Sequence, residues 1–185
     1  MNVFVRIPTR EKPRLRWATP TVFALLWLAF IVWALLPDPE QRRLTLQWGA
    51  LSGGWASPQA AWAALRDGSA LRLVTALFLH ADWAHLLGNL IFLLIFGLPA
   101  ERVMGAWRLL LVFLGGGVVA NLAAAVTIGE PDRLIIGASG AVSALIGAYL
   151  ALFPSAKLGV VLPLGLFLQF VRAPAPLLIG IWALL

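Results

Sequence analysis

The sequence contains no cysteine. Disulfide cross-links, thiolate nucleophiles and cysteine-ligated metals are therefore excluded. Charge is scarce as well: Asp, Glu, Lys and Arg make up 12% of the 185 residues, where a soluble domain carries about a quarter. Histidine is scarcer still, with His80 and His85 the only two in the chain. Their five-residue spacing takes them off a common helical face. No carboxylate stands at HExxH spacing, so no metal site is expected.

What fills the chain instead is apolar, at 61% of residues. Several runs approach or exceed the ~18 residues that read as a transmembrane helix. The expected fold is all-α, a polytopic transmembrane helical bundle with about four complete spans and a partial fifth. The net charge of +6 is densest at the amino terminus, where Arg6, Arg10, Lys12, Arg14 and Arg16 face a single Glu11. A basic cluster ahead of a first apolar span is a topology signal, not a nucleic-acid footprint, and it keeps residues 1–16 in the cytoplasm. Contact of that segment with anionic lipid is a further reading.

The first span is predicted over 17–36. It is longer than the ~7–15-residue core of a cleaved signal peptide, and it ends in "LLPDPE" without a small-residue cleavage site, so a retained anchor is expected. Residues 37–72 form a long connection. Trp48, Trp55 and Trp62 recur every seven residues there, which places them on one helical face, while Gly53, Gly54 and Pro58 interrupt a continuous helix. Broken, amphipathic and Trp-rich describes a segment lying in the headgroup layer. The second span is expected over about Trp83–Pro99, followed by the polar hinge "AERVMGAWR". The third is expected over Ala106–Ile128, and the fourth from "IIGASGAV" to about Phe153. The positive-inside rule puts the amino terminus, the hinge and Lys157 inside, and residues 37–72 and "GEPDR" outside. The stretch "LGVVLPLGLFLQFVRAPA" carries Pro163, Gly165, Gln169 and Arg172 and is expected to be bent or re-entrant. The final run "PLLIGIWALL" is about half of the ~20 residues a span needs, so the chain is expected to be a fragment.

Two short motifs carry polar groups into this apolar background. In "FLHADWAHLLGNLIF", His85 and Asn89 stand four apart and so share one helix face. Polar side chains within a span face the bundle interior or a cavity. They serve either a reaction or the gluing of helices by hydrogen bonds. In "IIGASGAVSALIGAYLALF", Ser139 lies between Gly137 and Gly140 at the mouth of the fourth span. A helix start offers unpaired N–H groups and the positive end of the dipole, where an oxyanion is stabilised. A serine at that place is either an N-cap or a nucleophile. Ser139, Ser143, Gly147 and Ala151 also make a small stripe against which another helix can press. The second and fourth spans both enter from outside, so His85, Asn89 and Ser139 are expected at similar depths. A hydroxyl and two hydrogen-bond donors make up the equipment for acyl transfer.

Taken together, these residues resemble the rhomboid family of intramembrane serine proteases. "HADWAHLLGN" resembles the family's second-span H-x(4)-H-x(3)-N, "GASG" its nucleophile motif and "AERVMG" its acidic-basic hinge. "LRLVTALFLH" resembles the strip ahead of the second span, with Leu71-Arg72 where the family usually has Trp-Arg. The resemblance covers about Leu71–Leu152 and extends more weakly to the end, so a rhomboid protease domain is expected over 66–185, incomplete at its carboxy terminus.

The resemblance implies roles. Ser139 is then the nucleophile, with His85 and Asn89 lining the oxyanion hole beside the Ser139 N–H. His80 is a nearby structural or assisting residue, Gly137 and Gly140 permit close approach, Arg72 braces the interfacial connection and Glu101 fixes the hinge. The family works without a cofactor, through a Ser-His dyad, on transmembrane protein substrates cut near their outer ends. Two departures stand out. The family's general base is a histidine on a sixth span that this chain does not contain, and the aromatic often found four residues after the nucleophile is here Ser143. The expected protein is thus a multi-pass protein of the bacterial inner membrane, in contact with lipid and transmembrane substrates but not with nucleic acid. The alternative is a rhomboid-like protein that binds transmembrane clients without cleaving them. Oligomeric state is not legible in the sequence.

Overall fold

The computed structural model describes residues 16–52, 55, 57–128 and 132–155, the backbone of 157–164 and 167–174, and Gly180. The first helix, α1 (Ala18–Ala34), carries no charged residue and stops before Pro37. A short second helix, α2 (Asp38–Trp48), starts on Pro37 with Asp38 and Glu40 in its first turn, where acidic groups oppose the helix dipole. It is fastened back to α1 by the Trp33 indole, which donates to Thr45 Oγ1 at 3.0 Å and to the Gln41 carbonyl at 3.3 Å. A two-residue strand β1 (Ala50–Leu51) and a helix α3 (Pro58–Arg66) follow; the Ser57 hydroxyl caps α3 by accepting the Ala60 N–H at 3.1 Å.

The chain then winds through a 3₁₀ turn (Ser69–Leu71), one turn of helix α4 (Arg72–Thr75) and another 3₁₀ turn (Ala76–Phe78). Next come α5 (Trp83–Phe92), a π turn (Leu93–Gly97) and α6 (Leu98–Met104), which run on as a single rod over Trp83–Met104. Gly105, at φ +86°, breaks the chain into α7 (Ala106–Thr127). Strand β2 (Leu134–Ile135) precedes α8 (Ser139–Leu152), and strands β3 (Lys157–Leu164) and β4 (Phe167–Pro174) pair antiparallel.

The core lies where α1, the 83–104 rod, α7 and α8 meet. Val22, Leu26 and Phe30 from α1 pack with Leu86, Leu90, Leu93 and Phe96, with Leu109 and Phe113 of α7, and with Val142, Leu145 and Ile146 of α8. The four-residue and seven-residue intervals within these sets give each helix one inward stripe. The outward stripes are equally apolar: Leu111 is 73% exposed, Trp107 72% and Leu28 59%. A contiguous apolar exterior of that kind costs free energy in water and suits a hydrocarbon surrounding. The helices approach closely where side chains are smallest. Gly140 abuts Ala120, Gly116 abuts Ala144, and Gly117 lies between Leu77 and Ala141, so α7 and α8 nearly touch backbone to backbone.

Several sequence expectations are corrected here. Among the described residues two helices, Trp83–Met104 and Ala106–Thr127, are long and apolar enough to cross a bilayer, whereas α1 has 17 residues and α8 only 14. α1 and α8 end at backbone breaks near Pro37, Gly137 and Phe153, which makes them shorter apolar helices. The fold is not purely helical. Strand β1 pairs with β2, Ala50 opposite Ile135 and Leu51 opposite Leu134, because two turns lying side by side satisfy each other's backbone groups. The stretch expected to be bent or re-entrant falls on β3 and β4, where Val160, Val161, Phe170 and Val171 favour strands and Pro163 opposes a helix. Residues 175–179 and 181–185, and with them the expected partial fifth span, lie outside the described residues.

Trp48, Trp55 and Trp62 do not share a helical face, since Trp48 closes α2 and Trp62 sits in α3 with β1 between them. The hinge "AERVM" is helical, and the turn is confined to Gly105. The small stripe that meets a neighbour is Gly140, Ala141 and Ala144, whereas Ser143, Gly147 and Ala151 are exposed.

Candidate active site

The site is assembled from the start of α5 and the start of α8. Asp82 sits in extended conformation ahead of α5 and accepts the His85 N–H at 2.8 Å, so it caps the helix that carries His85 and Asn89. The His85 imidazole lies against Gly137: a Cβ built there would stand 2.5 Å from both Cε1 and Nε2 of the ring. Gly137 also holds φ at +111°, a conformation side-chain-bearing residues rarely adopt. Its N–H donates to the Ala76 carbonyl at 2.9 Å, which fastens this turn to the segment preceding α5.

Two residues later α8 begins. Ser139 is half-buried at its first position, and the first helical bond runs from the Val142 N–H to the Ala138 carbonyl at 2.9 Å. The Ser139 and Gly140 N–H groups come before that bond and have no acceptor among the described residues. The structure thus brings Gly137, Ser139, His85 and His80 to one place. The His80 and His85 rings meet edge to face with centroids 5.1 Å apart. His80 is 2% exposed, and its Nε2 accepts the Ala138 N–H at 3.4 Å.

Asn89 lies one turn below His85 and is fully buried. Its Nδ2 donates to the His85 carbonyl at 3.0 Å, and its Oδ1 has no partner. One amide hydrogen remains for another acceptor, since Nδ2 carries two.

Two predicted residues stand elsewhere. The Arg72 guanidinium donates to the Leu46 carbonyl of α2, and Glu101 accepts the Ala18 and Thr19 N–H groups at 2.8 and 2.9 Å at the start of α1. Among the described residues no group of His, Asp and Glu could hold a metal ion.

Sequence reasoning gave no role to Asp82, to the Ala76 carbonyl or to Asn121, whose Nδ2 donates to the Leu73 carbonyl at 2.8 Å in the interior. Asp82 was findable, since an Asp directly ahead of an apolar helix is an N-cap signature. A carbonyl acceptor leaves no trace in a sequence.

The family model described as the rhomboid domain matches residues 67–185, more than half of the chain. The chain belongs to the rhomboid family. It is 42% identical over 85 residues to YdcA of Bacillus subtilis, a candidate rhomboid protease by its name, a match covering 45% of this chain and 42% of that one. It is 31% identical over 128 residues to Rhomboid-related protein 2 of Mus musculus, covering 69% of this chain and 40% of the relative. Rhomboid-like protease 2 of Toxoplasma gondii is 41% identical over 87 residues, 47% of this chain and 30% of its own. The matches thus span less than half the length of these relatives. No solved structure matches the chain. Family and apolar helices together mark this rhomboid as an integral membrane protein.

Proposed function

We propose that this rhomboid is an intramembrane serine endopeptidase acting on transmembrane proteins near the outer membrane face, in the full-length protein that contains this chain. The observation that carries the proposal is the seating of His85 on Gly137, two residues before a serine that opens a helix. That contact puts an imidazole, a hydroxyl and unpaired backbone N–H groups within one turn of chain.

In this reading the Ser139 Oγ attacks the substrate carbonyl carbon and loses its proton to a general base. The carbonyl oxygen becomes an oxyanion, which the Ser139 N–H, His85 and the second amide hydrogen of Asn89 stabilise. The amine leaves with the proton, and water then hydrolyses the acyl-serine by the same route. His85 belongs to the wall that faces the oxyanion and the Nε2 of His80 is taken up by the Ala138 N–H, so the base is assigned to a histidine of a later span, as in the family. No cofactor is required. The basic amino-terminal residues 1–16 keep that end in the cytoplasm, the first span over residues 17–36 anchors the chain, and residues 37–72 lie at the outer surface of a bacterial inner membrane.

A fluorophosphonate probe on the full-length protein in detergent tests this. Labelling that disappears in Ser139→Ala supports it. His85→Ala and Asn89→Ala should each slow cleavage of a transmembrane substrate, by about 10²-fold or more for a lost oxyanion donor. A folded full-length protein that never labels and never cleaves overturns the proposal in favour of a rhomboid-like protein that binds clients only.

A further inference from the structure

His80 is the most deeply placed imidazole of the chain, and the mechanism above gives it no step. It sits in the turn between the 3₁₀ segment Ala76–Phe78 and α5, 2% exposed. Two contacts fix it. Nε2 faces the Ala138 N–H at 3.4 Å and its edge meets the His85 ring, while Nδ1 is buried without a hydrogen-bond partner. The Ala138 N–H is a donor and cannot give it up, so Nε2 must be the lone-pair nitrogen. A neutral ring then carries its proton at Nδ1.

The geometry points to His80 as a positioning residue: unprotonated at Nε2, it binds the Ala138 amide, fixes the peptide just ahead of Ser139 and backs the His85 ring. Two consequences follow from the local chain. The Gly137 N–H is held by Ala76 and the Ala138 N–H by His80, so both amides ahead of the serine are occupied. The first unoccupied amide is then that of Ser139 itself. His80 thus determines which N–H is presented to an incoming carbonyl, and it keeps His85 from tilting away from Gly137. The role in turnover rests on the protease reading above; the hydrogen bond itself does not.

The test compares His80→Phe with His80→Gln in the full-length protein. Phe keeps the ring volume and removes the acceptor, while Gln reaches to the same depth with a carbonyl oxygen. His80→Phe should lower the fluorophosphonate labelling rate and kcat by roughly tenfold to a hundredfold with KM little changed, as misplacement of a reacting group does. His80→Gln should restore most of that loss. Equal labelling in wild type and His80→Phe overturns the inference, and so does an equal loss in both variants when their melting temperatures match the wild type. Nitrogen-15 spectra of the histidine-labelled wild type give a second readout independent of turnover. An unprotonated Nε2 on His80, together with slow exchange of the Ala138 amide that quickens in His80→Phe, supports the assignment; a protonated Nε2 overturns it. A wild type that never labels but shows those spectra retains the His80–Ala138 bond and sinks the protease reading alone.

Discussion

Gly137 shows how much can depend on one missing methyl group. Its φ of +111° is strained for any L side chain, and the space a Cβ would enter is filled by His85. Gly137→Ala should therefore cost about 1–3 kcal/mol in backbone strain, with further loss from displacement of the imidazole. The expected outcome is a lower melting temperature in detergent together with slower labelling of Ser139; unchanged values for both would show that the ring can move aside freely. His80 makes a second residue-scale prediction, because it lies ahead of the 83–104 rod. Burial first, and then the neighbouring His85, push its pKa down to about 4 from 6.5, against the opposing pull of the Phe78 carbonyl and Asp82. An unfolded chain thus binds a proton between those two values that the native protein does not. Stability is fully present above 6.5 and falls as the pH drops towards 4. Thermal melts across that interval should show a steeper decline in wild type than in His80→Gln.

At the scale of elements, the α7–α8 contact governs where the serine sits. Gly140 meets Ala120 and Gly116 meets Ala144, so neither helix has room for a larger residue along this seam. Gly140→Val should force the two apart and destabilise the fold by about 1–3 kcal/mol, read as an earlier melt. It should also lower labelling at Ser139, since α8 carries the hydroxyl at its first position. The existence of these two helices was legible from apolar run length and from the small-residue content of "LGGGVVANLAAA". Which small residues face the neighbour was not. The sequence stripe of Ser143, Gly147 and Ala151 has the same four-residue interval as the true seam. Only the rotation of α8 about its axis, set by Val142, Leu145 and Ile146 turning into the core, separates the two.

Across the whole molecule, a few long-range bonds close the chain on itself. Glu101 binds the first N–H groups of α1 from more than eighty residues away, at 1% exposure, and so ties the start of the fold to the end of the 83–104 rod. Glu101→Ala should leave two buried N–H groups unpaired, at about 1–3 kcal/mol each, and the melt should drop accordingly while the Ser139 chemistry persists at low temperature. On the opposite side of the bundle, β1 pairs with β2, the Ser52 N–H donates to the Arg133 carbonyl at 2.9 Å, and Arg72 reaches the Leu46 carbonyl. The segment between α1 and α4 is thereby joined to the turn that leads into Ser139.

The amino-acid order alone determined that this is a helical membrane chain, that His85 and Asn89 share a face, and that a Gly-flanked serine opens a helix. Each follows from run length or from a 3.6-residue period, which are local properties of the backbone. Tertiary structure decided the rest: that His85 rests on Gly137, that His80 holds the Ala138 amide, and that two loops far apart in the chain pair as strands. Those contacts join groups of which one is a backbone amide or a glycine. Such groups have no side-chain identity for a sequence to display, and only the packing of helices selects which of them meet.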